Sequence, residues 1–327
     1  MAHDVNFKTV PLSDIYKGVS DYLHSDDLSF INLEFPVDET RKQSSYPSFN
    51  VHPDYIKAAI DGGFDVFSLA NNHINDFGIT SLNKTIDNMN KFRNKEMIIF
   101  SGVYLNNDSD FNIETIQIEE LTIGYIAITQ FNNNYWNKEG ASKVYKADYL
   151  IKEEADSLIA FIEKEKENYD CLIVSYHGGI EYKPSPKLER KVFFERLRAA
   201  GADIIWGHHP HVLQPWNSFN DEGGDSLILY STGNFLSGQL AIVDPAEHDI
   251  NFAATGFSSL FRVEIGMEEG VFKIYKIEPI MIANIRNENN FFVAVNQEDA
   301  LNFPMDTEWK SFYTKMFSIA EERIRQE

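Results

Sequence analysis

The stretch that decides the fold is Gly201-Ala-Asp-Ile-Ile-Trp-Gly-His-His-Pro-His-Val212. Its apolar residues 204–206 predict a short buried strand, which a glycine ends. His208, His209 and His211 follow at once. Side chains two positions apart share one side of an extended chain, so a His-x-His pair aims two imidazoles at one point. Three of the chain's nine histidines lie within four positions, which favours a metal or catalytic site over a polar turn that merely contains histidines.

The composition allows a sizeable core and restricts the partners. The chain has 327 residues and is 43% hydrophobic, with 25 Phe and 15 Tyr. Its net charge of −21 argues against a nucleic-acid backbone as partner, since such binding needs a basic face. The same charge disfavours an anionic membrane surface. An acidic surface on a soluble protein is the plain interpretation.

Cysteine content and hydropathy bear on domain organisation. Cys171 is the single cysteine, which excludes an internal disulfide and a CxxC metal site, and it opens an apolar run typical of a buried strand. No stretch approaches the ~20 apolar residues of a membrane span. No low-complexity linker divides the chain. We therefore predict one domain over residues 1–327, with a motif-bearing core at about 28–236 and C-terminal strands and a helix at 257–325.

Four predicted strands end on side chains that bind metals or protons. The strands and the side chains that follow them are 28–33 with Glu34, 64–70 with Asn72, His73 and Asp76, 171–176 with His177, and 204–206 with His208, His209 and His211. Taken alone, Glu34 is a surface acid and His177 a hydrogen-bonded structural residue. Together they predict one site, because the carboxyl ends of the strands in an α/β sheet gather at one face.

The remaining pattern alternates helices and strands up to about residue 210 and is richer in strands afterwards. Asp54 is predicted to cap a helix that Gly62 and Gly63 end. Residues 1–27 are polar and weakly patterned, and residues 132–136 form a polar, aromatic loop. Further predicted helices are 80–93, 147–168, a segment ending near 200, and 309–323; further strands are 97–100, 115–118, 121–129, 227–231 after a turn at 221–225, and two within 257–282. This order favours an α/β domain.

The candidate ligands are imidazole, carboxylate and amide oxygen, with no thiolate. That set suits Mn²⁺, Zn²⁺ or Fe rather than a cysteine-bound structural zinc. Two such ions about 3.5–4 Å apart can activate a water and clamp a phosphoryl oxygen. His73 is then the candidate acid that protonates the leaving oxygen, and Asp76 is available to orient it.

The spacing of these motifs resembles the CapA family of capsule and poly-γ-glutamate synthesis proteins, within the calcineurin-like metallophosphatase superfamily. The matching segments run in order from about residue 28 to 236 and are specific together. They are Asn32-Leu-Glu34, Leu69-Ala-Asn-Asn-His73 with Asp76 and Gly78, Ser175-Tyr-His-Gly-Gly-Ile-Glu-Tyr182, Gly201-Ala-Asp203 through His209-Pro-His-Val-Leu-Gln-Pro215, and Tyr230-Ser-Thr-Gly-Asn-Phe235.

The resemblance implies a four-layer α/β/β/α sandwich with a dinuclear metal site between the sheets. It assigns metal-binding roles to Glu34, Asn72, His177, His209 and His211, and the role of acid to His73. His208 is then a neighbour of the ligands. For Glu181 and Asn234 it implies no metal role; they are expected to hold substrate or to orient the ligands.

The sequence departs from the family pattern at its start. The family usually opens with a strand ending Gly-Asp, whose Asp binds one metal, whereas this chain reads Met1-Ala-His-Asp4. We therefore expect the first strand to be truncated and one of two metal sites to be impaired, with His3 and Asp4 as possible substitutes. The resemblance also implies an extracytoplasmic, cell-envelope location, with an N-terminal anchor absent here.

Three functions stay open at this point. One is a metal-dependent hydrolase of phosphate esters or of an amide-linked polymer. The second is a non-catalytic, metal-containing component that binds or exports polymer beside membrane capsule-synthesis proteins. Its basic patches are thin (Arg41-Lys42, Lys183 to Lys187, Arg190-Lys191), so a metal-bridged carboxylate is the expected contact with a polyanion. The third is an interaction domain with decayed metal residues.

Overall fold

The computed structural model describes residues 12–104, 110–134, 137–221, 223–286 and 292–326. His3 and Asp4 lie outside the described residues, as do Tyr135 and Trp136 of the polar loop. The strands are β1 Phe30–Asn32, β2 Val66–Ser68, β3 Ile99–Ser101, β4 Glu114–Ile118, β5 Leu121–Thr129, β6 Cys171–His177, β7 Ile204–His208, β8 Trp216–Asp221, β9 Gly224–Leu229, β10 Phe257–Glu268, β11 Val271–Arg286 and β12 Phe292–Asn296. The helices are α1 Ser20–Leu23, α2 Pro53–Asp61, α3 Gly78–Glu96, α4 Lys138–Ala141, α5 Lys152–Glu165, α6 Leu188–Ala199, α7 Ile250–Ala253, α8 Gln297–Asn302 and α9 Thr307–Arg323.

The largest sheet has the order β4-β5-β6-β7-β9-β8. Its central strands β5, β6, β7 and β9 are parallel, and the edge strands β4 and β8 are antiparallel. Every residue of β6 is buried, which is why the sequence shows an apolar run there instead of an alternation.

Two three-stranded sheets accompany it. One is parallel, with the order β1-β2-β3, and the other is antiparallel, with the order β10-β11-β12. β1 faces the large sheet, because the ring of Phe30 packs edge-on against Tyr125 of β5 and Trp206 of β7. β11 faces it too, because the backbone N–H of Ile274 donates to Asp225 of β9 at 2.9 Å.

Helices cover both outer faces. On the far face of the large sheet, Leu158 and Ile162 of α5 pack with Phe194 and Leu197 of α6 in one apolar cluster. A second cluster fills the space between the sheets and includes buried residues of α2, α3 and α9. The order is helices, large sheet, the two small sheets, helices. This confirms the predicted α/β/β/α sandwich.

Most predicted elements lie where the sequence placed them, and two expectations need correction. Asp54 does not cap α2: the N-cap is His52, Pro53 is the first helical residue, and no side chain makes a capping bond. Residues 12–27, which are polar and weakly patterned in sequence, nevertheless contribute to the core, because Ile15, Tyr16 and Val19 are buried there. One domain over residues 1–327 stays a prediction. Within the described residues, no helix is both long and apolar enough to cross a membrane.

Candidate metal centre

The parallel registers bring the predicted ligands to one edge of the sheets. β6 and β7 pair with His177 opposite His208, and β1 and β2 pair with Asn32 opposite Ser68, so the loops that follow all four strands meet there. Asn72 Oδ1 lies 2.8 Å from His177 Nε2. Glu34 Oε1 lies 3.7 Å from His177 Nε2.

Two overlapping groups of side chains can hold a cation. The first is Glu34, His177 and His209, all buried, and the second is Glu181, His209 and His211, of which Glu181 is exposed. In each group one donor atom per residue lies within 4.8 Å of the others. His209 belongs to both groups, so the arrangement suits one ion or two neighbouring ions. Glu34 lies between the two groups, since its Oε1 is near His177 of the first group and 3.8 Å from His211 Nε2 of the second.

The side chains of the first group suit an ion because each has a buried polar atom without another partner. Glu34 Oε1, His177 Nδ1 and His209 Nδ1 are buried, and none has a hydrogen-bond partner among the described residues. Buried polar atoms are nearly always bonded, and those that are not need an explanation such as an ion. Carboxylate and imidazole at this spacing are ligands that Mn²⁺, Zn²⁺ and Fe accept.

The electrostatics keep the imidazoles in the form that binds metal. Burial, followed by the neighbouring histidines, holds the pKa of His177 well below its usual range. Burial and His211 do the same to the pKa of His209. Both rings are therefore neutral near pH 7, and a neutral imidazole offers a lone pair to a cation.

The backbone turns sharply to aim these rings. His209 has φ 91° and His211 φ 59°, on either side of Pro210. Gly207, two residues earlier, permits a close strand contact: a Cβ there would lie 2.2 Å from the carbonyl oxygen of Tyr230. Strained conformations of non-glycine residues persist where the surroundings enforce them, commonly at functional sites.

His208 is turned away from the ligand groups. Its Nε2 lies 3.0 Å from Ser175 Oγ, and its ring packs 4.0 Å from that of Trp206. Burial, with the charge of Arg190, lowers the pKa of His208 to about 3. It supports β7 from beside the site, as a neighbour of the ligands.

Asn234 holds His211 in position. Its Oδ1 accepts from His211 Nδ1 at 3.0 Å, and its own Nδ2 donates to Gln239 Oε1 at 2.7 Å and to the carbonyl of Thr255 at 3.0 Å. An amide oxygen only accepts, so Nδ1 of His211 carries the proton and Nε2, which faces Glu34, is free to bind a metal.

His73 and Asp76 form a buried pair beside the ligand groups. His73 Nδ1 lies 2.8 Å from Asp76 Oδ2, and that oxygen also accepts from the backbone N–H of Phe49 at 2.8 Å. Burial raises the pKa of Asp76, while the bond to His73 lowers it. The pair follows Asn72 directly, so the predicted acid and its orienting carboxylate lie next to a predicted ligand.

One contributor was missed by the sequence reasoning. Asn133 Oδ1 accepts from Asn72 Nδ2 at 3.3 Å, and Asn133 Nδ2 lies 3.3 Å from each ring nitrogen of His73. Asn133 thus links the predicted ligand to the predicted acid from a loop about 60 positions away. The polar run at 132–134 was its only signal.

Arg190 contributes nothing to the third of the thin basic patches. Arg190 is 1% exposed: it donates to Gln214 Oε1 at 3.0 Å and stacks on Phe194, so it offers no charge to a polymer. Its burial follows from its position on α6, against the large sheet.

These features define an α/β sandwich protein with a buried histidine and carboxylate site suited to a metal ion. The sequence pattern of the bacterial capsule synthesis proteins (PGA_cap) matches residues 2–239. Because that match covers well over half of the chain, the chain belongs to this family.

Two curated relatives are named for capsule or PGA biosynthesis. The chain is 28% identical over 268 residues to the capsule biosynthesis protein CapA of Bacillus anthracis, covering 78% of this chain and 62% of that protein. It is 28% identical over 229 residues to the PGA biosynthesis protein CapA of Bacillus subtilis, covering 69% and 57%. The chain therefore spans about three fifths of these relatives. A solved structure of a hypothetical protein from Thermus thermophilus is similar at 15% identity and a TM-score of 0.47, over 83% of this chain and 93% of that one.

Proposed function

We propose that this chain is a metal-dependent, phosphoesterase-like hydrolase that acts in capsule or poly-γ-glutamate synthesis. One observation carries the proposal. Two overlapping donor groups share His209, and the His73–Asp76 pair lies beside them. A purely structural ion needs no adjacent buried acid, whereas hydrolysis needs one for the leaving group.

In this proposal Glu34, Asn72, His177, His209 and His211 hold Mn²⁺, Zn²⁺ or Fe at one or two positions. The bound metal supplies a polarised phosphoryl oxygen and an activated water. Glu181, which is exposed beside His209 and His211, contacts substrate at the mouth of the site.

His73 holds the proton that the leaving oxygen takes. Asp76 accepts from Nδ1, which fixes the ring orientation and leaves Nε2 to carry the transferred proton. Asn133 lies against the same ring, with its Nδ2 3.3 Å from each ring nitrogen. The substrate class is a phosphate ester, with an amide-linked polyglutamate as the alternative, and the proposed location is the cell envelope beside membrane capsule-synthesis proteins.

The test begins with chelator-stripped protein reloaded with Mn²⁺, Zn²⁺ or Fe²⁺. Metal content is measured by elemental mass spectrometry, and activity on p-nitrophenyl phosphate, bis-p-nitrophenyl phosphate and poly-γ-glutamate. We expect His73→Asn to lower kcat about 10²- to 10⁴-fold without changing the metal content. His24→Ala is the matched control, because His24 is exposed and outside the site. Equal rates for His73→Asn and the parent protein would refute the assignment.

A second candidate is a non-catalytic role in holding polymer. The net charge of −21 opposes direct contact with a polyanion, so in this role a cation held by the donor groups bridges the protein and the polymer. This role predicts that poly-γ-glutamate binds the metal-loaded protein and leaves it on chelation, with no turnover. Binding that ignores chelation would contradict it.

A further inference from the structure

Arg190 carries a positive charge in the interior of the protein, beside the chain segments that bear the ligand histidines. Its Nε has no hydrogen-bond partner, and no carboxylate forms an ion pair with it, within the part of the chain that the structure describes. Burial lowers the pKa of Arg190 to about 10, so the guanidinium is still charged near pH 7. A buried charge without a counter-charge is costly to stability, and Arg190 therefore calls for a reason beyond packing.

Two chain segments bring the ligand histidines together. The β6 segment, residues 178–187, follows directly on His177, the last residue of β6. The β7 segment, residues 209–215, follows β7 and contains His209 and His211. Because these ligands come from different strands, their spacing depends on how the two segments are held against each other.

The two segments are bonded to each other through the backbone. The N–H of Gly178 donates to the carbonyl of His208, where β7 ends, at 3.2 Å. The N–H of Tyr182 donates to the carbonyl of Pro210, between two ligand histidines, at 2.8 Å. Tyr182 has φ 61°, so the second bond is made by a residue in a strained conformation that its surroundings must enforce.

Arg190 and Gln214 connect both segments to α6. Arg190 Nη1 donates to Gln214 Oε1 at 3.0 Å, and Arg190 Nη2 donates to the carbonyl of His208 at 3.3 Å. Gln214 Nε2 in turn donates to the carbonyl of Lys183, in the β6 segment, at 2.8 Å. A Cβ on Gly207 would lie 2.7 Å from Arg190 Nη2, so glycine leaves the guanidinium its room at this point of β7. One guanidinium and one amide thus bridge a helix and both segments.

We propose that Arg190 and Gln214 are positioning residues that together set the spacing of the ligand histidines on the two segments. Arginine suits this place because its planar fork donates to two acceptors in a fixed geometry, whereas a lysine ammonium is a point charge without that fork. Neither residue belongs to the donor groups themselves. The inference rests on the proposed metal centre, and it does not require that the protein hydrolyses a substrate.

A purely electrostatic role for Arg190 predicts the opposite result. A fixed positive charge repels a bound cation, so removal of the charge alone would strengthen metal binding. Removal of a residue that orients ligands weakens metal binding, typically by about 10- to 100-fold. The direction of the change in metal Kd therefore separates the two roles.

The experiment measures the Kd for Mn²⁺ by isothermal titration calorimetry, starting from the chelator-stripped full chain. We expect Arg190→Met and Arg190→Lys each to raise the Kd about 10- to 100-fold, because methionine removes both bonds and lysine keeps the charge without the fork. Gln214→Met is expected to raise it as much, and it carries the test by itself if the arginine variants do not fold. The double variant Arg190→Met with Gln214→Met is expected to show no further increase, because the two side chains act as one unit. Unchanged or tighter metal binding in the single variants, or fully additive effects, overturns the proposal.

Leu197→Ala is the matched control for loss of stability. Leu197 is buried in the apolar cluster on the same helix, away from both segments. Its replacement is expected to lower the melting temperature and to leave the Kd unchanged. The visible absorption of bound Co²⁺, which reports ligand geometry, is expected to change in Arg190→Met and Gln214→Met and to stay as in the parent in Leu197→Ala. If the control loses metal as strongly, the effect is general destabilisation and the proposal is overturned.

Hydrogen exchange of the metal-free protein tests the positioning without an ion. The amides of Gly178 and Tyr182 are expected to exchange about tenfold faster, relative to those of β5, in Arg190→Met and Gln214→Met but not in Leu197→Ala. Equal relative rates in all three variants overturn the proposal. A parent protein that binds no metal refutes the metal centre and this inference with it, whereas a parent that binds metal and hydrolyses no substrate refutes only the proposed hydrolase.

Discussion

The replacement Glu34→Gln tests two opposite effects of this carboxylate on the stability of the fold. Without metal we expect Glu34 to destabilise the protein, and with metal we expect it to stabilise the protein by holding the ion. In the metal-free protein Glu34 Oε1 is buried without a hydrogen-bond partner among the described residues. An unsatisfied buried group costs about 1–3 kcal/mol, and more when charged. Replacing this carboxylate by the isosteric amide removes a buried acid, so the metal-free variant is expected to be more stable than the parent.

The size of the change follows from the length of the chain. An unfolding entropy of about 2.1 cal/mol/K per residue gives about 0.7 kcal/mol/K for 327 residues. The metal-free variant therefore melts about 1.5–4 °C higher. In the parent, metal at about 100 times its Kd adds about 2.7 kcal/mol, or about 4 °C. In the variant we expect the metal shift to fall to about 1 °C or less, because Glu34 Oε1 lies 3.7 Å from His177 Nε2 and 3.8 Å from His211 Nε2, the nitrogens of two proposed ligands.

The assay is a thermal melt of chelator-treated protein titrated with Mn²⁺, Zn²⁺ and Fe²⁺, with His24→Ala as the control. Without metal, the substitution is expected to raise the melting temperature. When metal is added, the melting temperature of the variant is expected to rise less than that of the parent. A parent protein that no metal stabilises would refute the site. If metal raised the melting temperature of the variant as much as that of the parent, Glu34 would not be a ligand.

Three further outcomes follow from the packing. Gly207→Ala should destabilise the fold and abolish metal uptake, since the Tyr230 carbonyl has no room for a Cβ; denaturant melts and metal content check it. Phe194→Ala should cost about 3–5 kcal/mol of unfolding free energy in urea, because the ring is fully buried. His208→Asn should leave metal content unchanged, because His208 bonds Ser175 beside the ligand groups; loss of metal would make it a ligand.

The strands and their terminal side chains were predictable because two local signals agree. Buried parallel strands such as β6 need apolar residues on both faces, so they appear as short apolar runs. The residue after such a run lies at the carboxyl edge of the sheet, where sites form. These two signals suffice to group Glu34, Asn72 and His177 from the amino-acid sequence alone.

Contacts between distant segments left no such signal. Asn133 meets His73 only because two loops from different sheets converge, and its polar run resembles an ordinary surface loop. Ile15 and Tyr16 sit in a segment whose overall polarity hides two core residues. The distinction between His208 and His209 depends on which way each ring points, and strand alternation decides it only once the register of β7 is known.

The backbone conformation at His209 is one that glycine adopts more readily than histidine. A φ of 91° suits glycine and strains other residues by about 1–3 kcal/mol. In a helix or strand, a glycine normally makes the protein about 0.5–1 kcal/mol less stable than an alanine would. At position 209 we expect glycine to give the more stable protein. In metal-free protein we expect the unfolding free energy of His209→Gly, measured by urea denaturation, to exceed that of His209→Ala by about 1 kcal/mol. We expect metal to stabilise neither variant. Equal stability of the two variants would show that the turn carries no strain, and a metal shift retained in either would show that His209 is not needed to bind the ion.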